Sequence, residues 1–144
     1  MPDDADAPPD PLAVSESEWR VMAAAWDAAA AGLPGLTAAD VIDAVTPGTG
    51  WSHRTTRTLL HRLVGKGALR RVPDPDAPAR GLYAPAVSRR RCVRAQGRSF
   101  LERVFGGDAG ELLVHFAQGA ALTPDQAAEL RELLADAERR GRHR

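Results

Sequence analysis

Between Trp51 and Pro85 the chain reads WSHRTTRTLLHRLVGKGALRRVPDPDAPARGLYAP, and few folds accommodate that order. An amphipathic helix comes first, capped by Ser52 and running to about Val64. A tight turn follows at Gly65 or Gly67, then two short strands joined by a polar tip. At about 100° per residue, Leu59, Leu60 and Leu63 share one third of the helix circumference, with Thr56 near them, and must face a core. Arg54, Arg57, Thr58 and His61 fall on the opposite side, and Thr55 and Arg62 flank it. Leu69 and Val72, then Leu82 and Tyr83, are strand-forming and partly apolar, while Pro73, Pro75 and Pro78 keep the tip from extending the ladder. Helix, turn and hairpin in this order form the second half of a winged helix-turn-helix.

Charge assigns that motif a partner. The 144 residues carry 19 basic and 19 acidic side chains, so the whole chain is neutral. Residues 1–50 nevertheless hold one basic and nine acidic residues, residues 51–106 thirteen and three, and residues 107–144 five and seven. The positive charge is concentrated on the motif that could use it against phosphates. Ser52, His53, Arg54, Thr55, Arg57, Thr58 and His61 are the candidate DNA-facing residues of the helix. Arg54 and Arg57 lie in its first two turns, where a recognition helix reaches base edges, and arginine pairs bidentately with guanine. Arg70, Arg71 and Arg80 of the hairpin are placed to meet phosphates, the destination of most protein–DNA hydrogen bonds. The alternative is a winged-helix interaction module meeting an acidic protein. Such modules often carry an apolar patch where this helix carries Arg54, Arg57, Thr58 and His61.

The remaining segments are mainly helical. Residues 1–14 read as a disordered acidic tail, residues 15–86 as the DNA-binding domain and residues 87–140 as a helical dimerisation domain. Ser15 and Glu18 have capping-box spacing, and Trp19, Val21, Met22, Ala25 and Trp26 recur at helical spacing up to a stop at Gly32-Leu33-Pro34-Gly35. Thr37 caps a second helix with Ala38, Val41, Ile42 and Val45 on one face, and Thr46 to Gly50 reads as a loop. Beyond Val87 come three more helices. Cys92, Val93, Phe100, Leu101, Val104 and Phe105 are the apolar positions of the first, and Gly106-Gly107 ends it. Asp108 and Thr123-Pro124 open the other two. Their apolar stripes are too thin for an independent core at this size. Phe100, Leu101, Val104, Leu112, Leu113, Phe116, Leu130 and Leu133 are therefore expected to be buried, many across a two-fold interface. Such a dimer would set two recognition helices roughly 34 Å apart, one DNA turn.

Other chemistry is thin. His53, His61, His115 and His143 have no close ligand grouping, so no metal or other cofactor is expected. No phosphate loop and no nucleophile with a neighbouring base are evident, so no enzymatic activity is expected. No 18-residue apolar run suggests a membrane span, and the N-terminus lacks the features of a secretory signal. The single cysteine fits a reducing compartment, and a cytoplasmic protein is expected. Cys92 has two readings: a small buried apolar residue, or a redox switch activated by Arg89, Arg90, Arg91 and Arg94.

Several stretches taken together resemble the penicillinase and methicillin-resistance repressors, the BlaI/MecI family, with the related copper-responsive repressors. They are Ser17-Glu18-Trp19-Arg20-Val21-Met22 with Trp26, Thr55 to Leu63, Tyr83, Ser99-Phe100-Leu101, Phe105-Gly106-Gly107-Asp108 and Phe116-Ala117. The resemblance runs from about Glu16 to Glu138. It implies a homodimeric transcriptional repressor on a pseudo-palindromic operator, controlling a β-lactam-resistance or stress operon. It also implies an inducing protease that cuts before a phenylalanine, here at the His115–Phe116 bond. The family pattern has asparagine where this chain has His115, a departure that favours a different inducer. One cysteine does not support the cysteine-rich metal site of the copper-responsive members.

Overall fold

A computed structural model describes residues 10–142. The elements are α1 (Glu16–Ala30), α2 (Ala38–Thr49), α3 (His53–Gly65), β1 (Leu69–Pro73), β2 (Gly81–Pro85), α4 (Arg89–Phe105), α5 (Ala109–Ala117) and α6 (Pro124–Arg142). The fold is mainly helical, with one small antiparallel sheet in which Leu69 pairs with Pro85 and Pro73 with Gly81. Two compact units divide between Phe100 and Leu101, inside α4. The sequence had placed its boundary at residue 86. The first turns of α4, including the buried Cys92, belong to the first unit's core.

In the first unit, local signals set the helix ends. The Ser15 hydroxyl accepts from the Glu18 N–H at 3.2 Å, and Glu18 Oε1 accepts from the Ser15 N–H at 2.9 Å. Helix α1 ends in a Schellman turn: Gly32 sits at φ 83°, and Gly32 and Leu33 donate to the Ala29 and Ala28 carbonyls. Helix α3 ends the same way, with Gly67 at φ 85° and Ala68 donating to the Leu63 carbonyl. Helix α2 departs from expectation. Residues 46–49 continue it through Pro47, and the stop is Gly50 at φ 67°. Proline removes one amide donor, but this is the last turn, where the Thr49 hydroxyl donates back to the Val45 carbonyl at 2.8 Å.

The core gathers Val21, Met22, Ala25 and Trp26 from α1, Val41 and Val45 from α2, and Leu59, Leu60 and Leu63 from α3. Leu69, Val87 and Cys92 close it. Trp26 Nε1 donates to the Val87 carbonyl at 3.0 Å, and Trp19 meets Trp26 edge-on at 5.1 Å. Gly35 is more than a helix stop. A Cβ there would sit 2.8 Å from the Tyr83 carbonyl oxygen, because Leu36 forms a β-bridge with Tyr83 on the outer edge of β2. The expected tail needs correction at its inner end: Val14 is buried and Leu12 packs against the core. Residues 1–9 of that tail lie outside the described residues.

In the second unit, Asp108 caps α5 through the Glu111 N–H at 3.0 Å, and Thr123 and Gln126 exchange capping bonds at the start of α6. No residue of α5 or α6 is buried. The eight positions expected to be buried are not buried within one chain. Leu101, Leu112 and Leu130 are half-buried, while Phe100, Val104, Leu113, Phe116 and Leu133 are exposed. Val93, assigned to the apolar side of α4, is also exposed. Helices α5 and α6 and the end of α4 lack the interior volume to cover these side chains.

Candidate nucleic-acid interface

Helix α3 has two chemically opposite sides. Thr56, Leu59, Leu60 and Leu63 are buried, which fixes the rotation of the helix about its axis. Ser52, His53, Arg54, Thr55, Arg57, Thr58 and His61 are consequently all exposed. The hydroxyls are partly committed. Ser52 Oγ accepts from the Thr55 N–H and lies 3.0 Å from Thr55 Oγ1, and Thr58 Oγ1 donates to the Arg54 carbonyl. The first turn contains no acid, so its free amides and basic side chains present one sign of charge.

The hairpin distributes its three arginines differently. Arg70 and Arg71 are exposed on β1. Arg71 Nη1 donates to the Tyr83 hydroxyl at 2.8 Å, and its guanidinium lies 4.3 Å from the Tyr83 ring centroid. Arg80 is exposed like the other two, but it also makes an ion pair within the hairpin. Its Nε and Nη2 donate to Asp74 Oδ2 at 2.9 and 2.6 Å. Asp74 is buried, and its Oδ1 accepts from the Asp76 N–H. The Arg80 hydrogen bonds and then the Asp76 amide hold the Asp74 carboxyl below the usual aspartate range, and the same pair raises Arg80. Asp74 was not singled out in the sequence. Its only signal there was an acid in a proline-bearing tip, a common solvent-facing composition.

Behind α3 lies an ion pair that the sequence did not reveal. Lys66, the sole lysine, donates to Glu18 Oε1 and to the Ala13 carbonyl, both at 2.8 Å. Glu18 is buried, which pushes its carboxyl up. Lys66 and the two Ser15 bonds outweigh that and hold it below the usual range. The pair anchors the end of α3 to the start of α1. Cys92 is fully buried, and burial pushes its thiol up against the opposing pull of Arg91. That is the environment of an inert core cysteine, and it disfavours the redox switch. Among the described residues, no cluster of His, Cys, Asp and Glu could hold a metal, and no helix is long and apolar enough to cross a membrane.

Residues 14–136 match the family model described as penicillinase repressor. The chain belongs to the penicillinase repressor family. The penicillinase repressor of Bacillus licheniformis is 24% identical over 123 residues, 85% of this chain and 90% of that protein. The methicillin resistance regulatory protein MecI of Mammaliicoccus sciuri is 28% identical over 121 residues, 84% and 92% of the two chains. By name, the first relative is a repressor and the second a regulatory protein. Among solved structures, the monomeric form of B. licheniformis BlaI in complex with the blaP half-operator aligns at 26% identity. The TM-score is 0.44, over 54% of this chain and 85% of that one. Apo MarR from E. coli aligns with a TM-score of 0.45 at 20% identity, over 88% and 79%.

Proposed function

We propose that this chain is a homodimeric transcriptional repressor that binds a pseudo-palindromic operator and controls a resistance or stress operon. The observation that carries this reading is the outward face of α3, where seven polar or basic residues are exposed above a fully buried apolar side. Arg54 and Arg57 read base edges in the major groove. Ser52, His53, Thr55, Thr58 and His61 line the same surface, and Arg70 and Arg71 hold phosphates. Arg80 acts through Asp74 to set the shape of the hairpin tip. The exposed apolar side chains of α4, α5 and α6 support a two-fold interface. In a titration against operator DNA, Arg57→Ala weakens specific binding by about 1–3 kcal/mol and relaxes one base position. An unchanged gel-shift titration would remove α3 from the interface.

Induction belongs to the same proposal. The His115–Phe116 bond lies within α5, and His115 packs edge-on against Phe105 and Phe116. A protease needs an extended segment, so this helix must open locally before cleavage. With His115 in place of the family's asparagine, we assign induction to a signal other than cleavage there. Blotting source cells after β-lactam exposure tests the assignment, and a fragment ending near His115 would reverse it.

A further inference from the structure

Alanines leave a cleft in the first unit, between the end of α1, the end of β2 and the start of α4. Ala25, Ala29 and Ala30 line it from α1, and Ala84 and Ala86 from β2 and the residue beyond it. Larger side chains at these places would close the gap. The open space is about 750 Å³, within the range of sites that hold small molecules. The Trp26 indole N–H in its floor already donates to the Val87 carbonyl at 3.0 Å, so the floor meets an occupant as apolar surface. Leu33 lies on the same lining and is 52% exposed.

Two separate elements bring charge to this apolar space. Arg70 pairs across the hairpin with Ala84, so both side chains leave the same face of the sheet, opposite to Arg71 and Tyr83. Arg89 opens α4, just beyond Val87. Both arginines line the cleft, both are exposed, and neither forms an ion pair with a described residue. Asp27 is the carboxylate on the same lining, so two guanidiniums against it leave the positive sign in excess. The first turn of α4 contains no acid, and its opening amides favour an anion as well.

We propose that this cleft binds a small amphipathic anion, a compact apolar body bearing one carboxylate. The apolar body lies over Trp26 and the alanines, and the carboxylate meets Arg70 and Arg89, whose planar forks match its geometry. Arg70 also belongs to the phosphate contacts proposed above. An anion that holds Arg70 in the cleft takes it from the duplex, and by linkage a bound duplex weakens the anion equally. The binding stands on the cleft alone, while its consequence for DNA rests on the DNA-binding reading and supplies the induction with a chemical class of signal.

Nuclear magnetic resonance of the Trp26 indole N–H tests the site, with 2-naphthoate and its uncharged counterpart 2-naphthamide as probes. All three tryptophans, Trp19, Trp26 and Trp51, lie in the first unit, so the exposed apolar side chains of the second do not report. Naphthoate should shift the Trp26 resonance saturably, with a dissociation constant of about 1 mM or lower. Naphthamide should bind at least about fivefold more weakly, and Arg89→Ala should weaken naphthoate to the same degree while leaving naphthamide unchanged. Ala29→Phe, an exposed position whose new ring fills the cleft, should abolish both shifts. Equal binding of the two probes, indifference to Arg89→Ala, or no Trp26 shift would overturn the proposal. A Trp26 resonance that instead moves on dilution of the free protein would give the cleft to a second copy and overturn it too. The consequence for DNA is read with a scrambled duplex at low, matched ionic strength. Saturating naphthoate should lower its affinity by about threefold, with no effect on the Ala29→Phe protein. A full Trp26 shift with unchanged DNA affinity would sink the coupling through Arg70. If no duplex binds even without naphthoate, the DNA-binding reading fails while the Trp26 titration still decides the site.

Discussion

Lys66 carries a structural role out of proportion to its single occurrence. Its ammonium satisfies a buried carboxylate on α1 and a backbone carbonyl ahead of it, so removing it strands Glu18 in the core. Lys66→Ala should cost about 3 kcal/mol in urea unfolding, because an unpaired buried charge is worse than no pair. Glu18→Gln/Lys66→Ala should recover part of that loss. The sign of the pH dependence follows from the lowered Glu18 value. Its contribution is complete above the unfolded glutamate value of about 4.3 and is lost as pH falls through the lower folded value. Thr56 presents the opposite case. Its Oγ1 is buried and finds no hydrogen-bond partner among the described residues. Thr56→Val keeps the shape and removes the stranded hydroxyl, so thermal unfolding should show a gain of about 1 kcal/mol.

At the scale of the element, the hairpin tip is organised around Asp74. Its carboxylate takes two bonds from Arg80 and one from Asp76, and its backbone N–H donates to the Arg80 carbonyl. Two roles for Arg80 predict opposite outcomes for the Asp74→Ala variant. If Arg80 shapes the tip, Asp74→Ala weakens operator binding severalfold, and adding Arg80→Ala changes little more. If Arg80 served mainly as a phosphate ligand, freeing it from Asp74 would strengthen binding. Fluorescence anisotropy against operator and scrambled duplexes distinguishes these outcomes, and the first is expected. Gly35 matters at the same scale, since a side chain there would drive the Leu36 bridge away from β2.

For the whole molecule, the decisive contrast is between the two units. The first buries aliphatic side chains from three helices and the hairpin, whereas the second leaves Val104, Leu113, Val114, Leu133 and Leu134 exposed. Apolar surface of this extent is unfavourable in water, and in the proposed dimer a second copy would cover it. Leu113→Glu/Phe116→Glu should yield monomers that bind a full operator poorly. Because neither residue is buried within one chain, thermal unfolding of the first unit should be little changed. Sedimentation of the unmodified protein as a monomer at micromolar concentration would refute the dimer.

The sequence by itself determined the features written in local chemistry. Ser15, Thr37, Ser52 and Asp108 announced their helices, and the leucine stripe of α3 determined which of its residues face outward. Order and spacing also pointed to the hairpin behind that helix and to the family. Tertiary structure decided whatever depends on which distant groups meet. Glu18 looked complete as a capping residue until α3 brought Lys66 to it, 48 positions away. Arg80 looked free until the fold of the tip placed it against Asp74. Gly35 looked like a helix stop until β2 passed within 2.8 Å of its missing side chain. Periodicity marks a residue as apolar but cannot say whether one chain has the volume to cover it. That is why the sequence could assign the core of the first unit residue by residue, but for the second could say only that its stripes are too thin to close on themselves.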